Sequence, residues 1–119
     1  MSDRDLRFGV IGCGHIARTV HLPNVAVLPG AAVVAYCDVD ESRARALLAQ
    51  HGGDCATADA GWVIGDPSLD GVLLMVGPGR HPALVQAAAR AGKHVFCEKP
   101  IALELADALE TVRVVEESG

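Results

Sequence analysis

The sequence predicts an α/β fold, a Rossmann-like open parallel sheet with helices on both faces. Three observations carry that expectation. Short apolar runs alternate with helix-length stretches, a glycine-rich turn joins the first such pair, and an aspartate closes the second run. Parallel neighbours need a crossover between them, so this alternation favours a parallel sheet over hairpins.

Residues 6–11 form a mainly apolar run that enters Gly12-Cys13-Gly14-His15-Ile16-Ala17, as a buried strand enters a tight turn and a helix. The helix is expected to end near Leu22, because Pro23 restricts the residue before it and lacks a backbone donor. Pro29-Gly30 marks a turn, and residues 31–37 read as the second strand, ending at Asp38. Asp40 is placed to cap a helix over about 41–50, with Leu47 and Leu48 as apolar contacts and Gly52-Gly53 as its stop. A short strand over 54–58 and a weak helix over 59–64, interrupted by Gly61, lead to the turn Asp66-Pro67-Ser68. Residues 71–76 have the continuous hydrophobicity of a central strand covered on both faces, and a helix over about 80–91 ends at Gly92. Residues 94–97 make a further strand before Glu98-Lys99-Pro100. A last helix draws its apolar positions from Leu103, Ala106, Leu109 and residues 112–115, with Glu104, Asp107 and Glu110 towards water.

Composition narrows the class. A chain of 119 residues suffices for one core, and with 50% hydrophobic but only 3% aromatic residues that core must be aliphatic. A formal charge of −5 disfavours nucleic acid and anionic membranes as partners. No apolar run approaches the roughly 20 residues that cross a bilayer, and the acidic start MSDRDLRF lacks the basic region of a signal peptide, so a cytoplasmic location is expected. Cys13, Cys37, Cys55 and Cys97 stand singly without a CxxC pair, and the five histidines form no HExxH, so no metal site is expected.

Gly12-x-Gly14-x-x-Ala17 matches the dinucleotide-binding turn. Gly12 permits the tight turn, Gly14 leaves room for a pyrophosphate beside the backbone, and small Ala17 lets the helix pack closely. Backbone N–H groups around His15 and Ile16 would face that phosphate at a helix start. Asp38 follows Gly14 at close to the roughly 20-residue separation of an acid that accepts the adenosine ribose hydroxyls. Its competing reading is a helix cap, for which Asp40 is the better placed. A carboxylate repels a 2′-phosphate, so NAD is favoured as cofactor, while Arg43 within reach of an added phosphate keeps NADP open.

Ile11-Gly12-Cys13-Gly14, Ala35-Tyr36-Cys37-Asp38, Asp70-Gly71-Val72, His81 and above all Ala91-Gly92-Lys93-His94-Val95-Phe96-Cys97-Glu98-Lys99-Pro100 make the chain resemble the Gfo/Idh/MocA family of NAD(P)-dependent oxidoreductases. The resemblance covers nearly the whole chain. It implies the nucleotide-binding domain of an enzyme that moves hydride between NAD(P) and a sugar, inositol or related secondary alcohol. It also implies that residues 1–119 stop before the final strand of that domain and the C-terminal substrate domain. Lys99 is then the catalytic lysine near substrate and nicotinamide, where a protonated amine orients or polarises a substrate oxygen. Glu98 and Pro100 shape that corner, with Glu98 near the cofactor; a lysine in a solvated loop is the plain alternative for Lys99. His81 matches a recurrent histidine near the nicotinamide side, against the alternative of a packed or capping histidine. Val76-Gly77-Pro78-Gly79 stands where relatives often carry Thr-Pro-Asn, which removes polar contacts but lets the backbone of Val76 and Gly77 approach the cofactor.

The resemblance thus implies a small polyhydroxylated substrate for the complete protein, and homo-oligomerisation stays open. Two other functions remain in view: a dinucleotide-sensing module without turnover, and part of an NAD-assisted glycosidase.

Overall fold

The computed structural model describes residues 5–98 and 101–119. Five strands, β1 (Leu6–Ile11), β2 (Ala31–Cys37), β3 (Cys55–Thr57), β4 (Gly71–Leu74) and β5 (His94–Cys97), form one sheet in the order β3-β2-β1-β4-β5, every neighbouring pair parallel. Strand order reverses between β1 and β4, and that reversal opens a crevice beyond their carboxyl ends. Register slips once, between Phe8 and Gly9, which pair with Val33 and Ala35 and leave Val34 as the extra residue.

Alternation along the strands sorts side chains into two cores. Ile11, Ala35, Cys37, Val72 and Leu74 lie on one face with Val63, Val85 and Ala88 of the helices α3 (Ala60–Gly65) and α4 (His81–Arg90). Val10, Tyr36 and Leu73 lie on the other with Ala17, Leu22, Ala44 and Leu47. Leu22 begins α1 (Leu22–Ala26), while Ala44 and Leu47 belong to α2 (Glu41–His51). Helices therefore cover both faces, as expected.

The local signals for α2 act as read, and Asp59, read as the start of the weak third helix, stands just before α3 as its cap. The Asp40 carboxylate accepts from the Ser42 N–H at 3.1 Å, the Asp59 carboxylate accepts from the Trp62 N–H at 3.3 Å, and Gly52 leaves α2 at φ +80°. Lys93 serves the opposite end of the sheet from the crevice. Its ammonium donates to the carbonyls of Asp66 and Leu69 at 2.5 and 2.8 Å, closing the turn before β4.

Two expectations are corrected. The first helix does not end at Leu22: residues 15–26 are continuously helical, through a π-helical turn over Ala17–His21 that runs into α1. Pro23 has no N–H for the Thr19 carbonyl and its ring would press on it. One extra residue in the turn relieves this, with the Leu22 N–H reaching the Ala17 carbonyl instead. The last helix, α5 (Leu105–Ser118), also turns a different face inward. Thr111 and Val114 are buried, whereas Leu105, Leu109 and Val112 are exposed, as is Leu103 before the helix. Thr111 decides the docking: its hydroxyl accepts from Gln86 of α4 at 3.0 Å and donates to the Asp107 carbonyl at 2.7 Å, so a hydrogen-bonded pair sits between the two helices.

Candidate cofactor cleft

The glycine turn sits at the carboxyl end of β1, inside the crevice. Gly12 adopts φ +99°, and a Cβ there would meet the Met75 carbonyl oxygen at 2.5 Å, so the end of β4 leaves no space for any other residue. Gly14 is the reverse case, because a Cβ on it would meet no atom within 4 Å. It faces the open side of a cleft of about 220 Å³ that Gly12, Gly14, Asp38, Val76 and Gly77 line. Cys13 and Ala17 are fully buried behind the turn, which brings the helix against the sheet.

Asp38 holds this turn together. Its carboxylate accepts from the Cys13 N–H at 2.8 Å and from the Asp40 N–H at 2.9 Å, joining the glycine turn to the start of α2. The backbone adds the Gly12 N–H on the Cys37 carbonyl at 2.7 Å and the Asp38 N–H on the Thr57 carbonyl at 3.2 Å. Asp40 caps α2 as read, and the Asp38 carboxylate is directed at the turn. The Ser42 hydroxyl bonded to Asp40 keeps that carboxyl below its ordinary range.

The thiols beside Asp38 are chemically quiet. Burial, with the nearby Asp38 charge, pushes the Cys13 thiol up to about 12 and the Cys37 thiol up to about 11. Neither is a nucleophile near neutral pH.

The remaining expected residues divide. His15 and Ile16 lie exposed in the first helical turn without lining the cleft. Glu98 follows β5, its N–H donating to the Leu74 carbonyl at 3.4 Å and its carboxylate facing His21. His81 takes the packed position weighed against cofactor proximity. It is 1% exposed, and its Nε2 lies 3.0 Å from the Val76 carbonyl, so it braces the loop after β4 from within. Lys99 lies outside the described residues.

Arg80, Met75, Val39 and Ala58 also line the cleft and were not expected there. The arginine had a legible signal, since a residue just after the strand across the reversal point must stand at the crevice. Arg43, read from the sequence as a reserve phosphate contact, lines the same cleft. It leans on Asp40 at 3.7 Å. A carboxylate with N–H-bearing turn on one side and two guanidinium groups nearby suits a ligand with ribose hydroxyls and phosphates. Among the described residues, no three His, Cys, Asp or Glu gather in a way that could hold a metal ion.

Comparison with known proteins agrees with this geometry. The family described as "Oxidoreductase family, NAD-binding Rossmann fold" (GFO_IDH_MocA) matches residues 6–119. A myo-inositol 2-dehydrogenase of Thermotoga maritima is 42% identical over 113 residues, covering 95% of this chain and 33% of that protein. A D-apiose dehydrogenase of Paraburkholderia graminis is 38% identical over 110 residues, covering 92% of this chain and 29% of its own length. Among solved structures, KijD10, a 3-ketoreductase from Actinomadura kijaniata in complex with NADP and TDP-benzene, superposes with a TM-score of 0.89 at 29% identity. That match covers 97% of this chain and 35% of KijD10. The chain spans about a third of the length of the curated relatives it matches.

Proposed function

The chain belongs to the Gfo/Idh/MocA oxidoreductase family, and from that premise we propose that it is the cofactor-binding part of a polyol dehydrogenase. The reaction is hydride transfer between NAD(P) and a sugar, inositol or related secondary alcohol. The observation that carries the reading is Asp38, an acid at the end of β2 fixed against the glycine turn on the rim of the cleft.

Bound nicotinamide would supply the hydride acceptor or donor. The chain's own residues do the holding. Gly12 keeps the turn tight against β4, Gly14 leaves the backbone open to a pyrophosphate, and the helix start at His15 and Ile16 offers N–H groups. Each carboxylate oxygen of Asp38 already accepts one N–H and retains acceptor capacity for a ribose hydroxyl. This favours NAD, while Arg43 and Arg80 on the cleft temper the repulsion of a 2′-phosphate, so NADP binds more weakly rather than not at all. Lys99, on the family resemblance, orients the substrate oxygen. The polyol class is supported by inositol and apiose dehydrogenases among the relatives.

Matched calorimetric titrations with NAD and NADP test the cofactor half. Saturable NAD binding, weaker for NADP, is expected; binding of neither overturns the reading. Polyol-dependent NADH formation by the whole protein tests the rest. Sugar release without net NADH would point instead to NAD-assisted glycoside cleavage.

A further inference from the structure

His21 closes the π-helical turn that follows the glycine loop, and its imidazole lies against the far side of the crevice, at the end of β5. Its Nε2 is buried and makes no hydrogen bond. That atom faces the Glu98 carboxylate at 3.4 Å, longer than the roughly 2.7–2.9 Å of a charge-assisted bond. The ring packs edge-on against Phe96 of β5 at 5.2 Å between centroids, which holds the imidazole at the strand end. A buried polar nitrogen that makes no hydrogen bond needs an explanation, and a carboxylate oxygen 3.4 Å away offers one. The π turn supports it. The one-residue widening that Pro23 forces is what carries position 21, and with it the imidazole, to this place on the helix.

We propose that His21 is a positioning residue for Glu98, its Nε2–H donating to the carboxylate and tying the helix of the phosphate-facing turn to the end of β5. The bond would add a polar tie to the ring contact with Phe96 between two segments on opposite sides of the reversal point. The Glu98–His21 contact makes the placement of one depend on the other, so a ligand held at the glycine turn also bears on the strand end that precedes Lys99. This rests on the cofactor reading proposed above.

The test uses the 119-residue chain with NAD as probe. Imidazole nitrogen NMR, at a pH where the ring is neutral, should show His21 as the Nε2–H tautomer, with a resonance that moves in Glu98→Gln. NAD affinity should fall about five- to tenfold in His21→Phe, which keeps the ring contact with Phe96. It should recover most of that loss in His21→Gln, whose amide can still donate. Glu98→Gln combined with His21→Phe should be no weaker than the weaker single variant. A Nδ1–H tautomer indifferent to Glu98, or a His21→Phe chain that binds NAD like the parent, overturns the proposal. A parent chain that binds no NAD overturns the cofactor reading instead, and the nitrogen signature then decides the His21–Glu98 contact alone.

Discussion

Alanine at Gly12 and alanine at Gly14 should fail in different ways. At Gly12 the backbone is left-handed, and a Cβ would lie 2.5 Å from the Met75 carbonyl oxygen and 2.6 Å from its carbon. These atoms have little freedom to retreat. The Met75 N–H donates to the Ile11 carbonyl at 2.8 Å and the Gly12 N–H to the Cys37 carbonyl at 2.7 Å, so turn, β2 and the end of β4 share one ladder. The left-handed conformation costs an alanine about 1–2 kcal/mol, and overpacking adds about 1–3 kcal/mol. Gly12→Ala should therefore lose about 2–5 kcal/mol, a large part of the about 5–15 kcal/mol that holds a domain folded. At Gly14 the added methyl meets no atom within 4 Å, so stability should stay within about 0.5 kcal/mol of the parent. The methyl would instead stand where a pyrophosphate must approach the helix start. Losing one charged hydrogen bond there, about 1.5–3 kcal/mol, weakens NAD roughly ten- to hundredfold. Urea unfolding followed by the fluorescence of Trp62, with NAD calorimetry on each variant, separates the two effects. A Gly12→Ala chain as stable as the parent would refute the steric argument, and undiminished NAD binding by Gly14→Ala would refute the approach of phosphate to this turn.

Three further outcomes follow from the same geometry. Asp38→Asn should weaken NAD by about 1–3 kcal/mol and NADP by less, because the amide keeps one acceptor but removes the charge; equal losses for the two nucleotides in calorimetry would count against ribose recognition. His81→Phe should cost about 1–3 kcal/mol of stability by leaving the Val76 carbonyl without its imidazole partner, and an unchanged melting temperature would show that this bond contributes nothing. Stability should decline above about pH 9, because the unfolded chain releases the Cys13 and Cys37 protons near 9 while the folded chain holds them to about 12 and about 11. Each buried thiol then contributes stability that is complete below pH 9 and falls by about 1.4 kcal/mol per pH unit as pH rises towards the folded value. Urea midpoints that stay level from pH 8 to 10.5, or a Cys13→Ala slope as steep as the parent's, would contradict this.

Where one local interaction decides, the sequence was legible. β2 and β5 lie where their apolar runs do, Asp40 caps the helix that follows it, and Gly12, Gly14 and Asp38 meet although the acid is remote in the chain. A parallel sheet delivers successive strand ends to one edge, so residues after β1, β2 and β4 converge although they are far apart in the chain. The failures arise where two packings compete. Pro23 reads as a helix stop, yet a π turn absorbs the lost donor and burial of Leu22 rewards continuing. On α5 two stripes are available, and the bulkier one loses: Leu105 and Leu109 stay exposed while Thr111 docks with Gln86 of the neighbouring helix. For His81 the sequence left cofactor proximity and packing side by side, and the Val76 carbonyl offers it a buried acceptor.

Asp38 explains why so small a motif can organise the cleft. An acid whose only task were to bind ribose would be left in water until ligand arrived, and binding would then have to order it. Here Cys13 and Asp40 donate to its two oxygens, so the carboxylate is oriented by the glycine turn and by the residue that caps α2. The same bonds that preset the acid close the turn, so fold and recognition share one set of contacts. Ordering costs are met on folding, before any ligand arrives. For the same reason Asp38→Ala would mix two losses, leaving the Cys13 N–H without its acceptor while deleting the ribose contact. The asparagine variant is the milder probe, since its amide keeps an acceptor for one of the two N–H groups while it removes the charge.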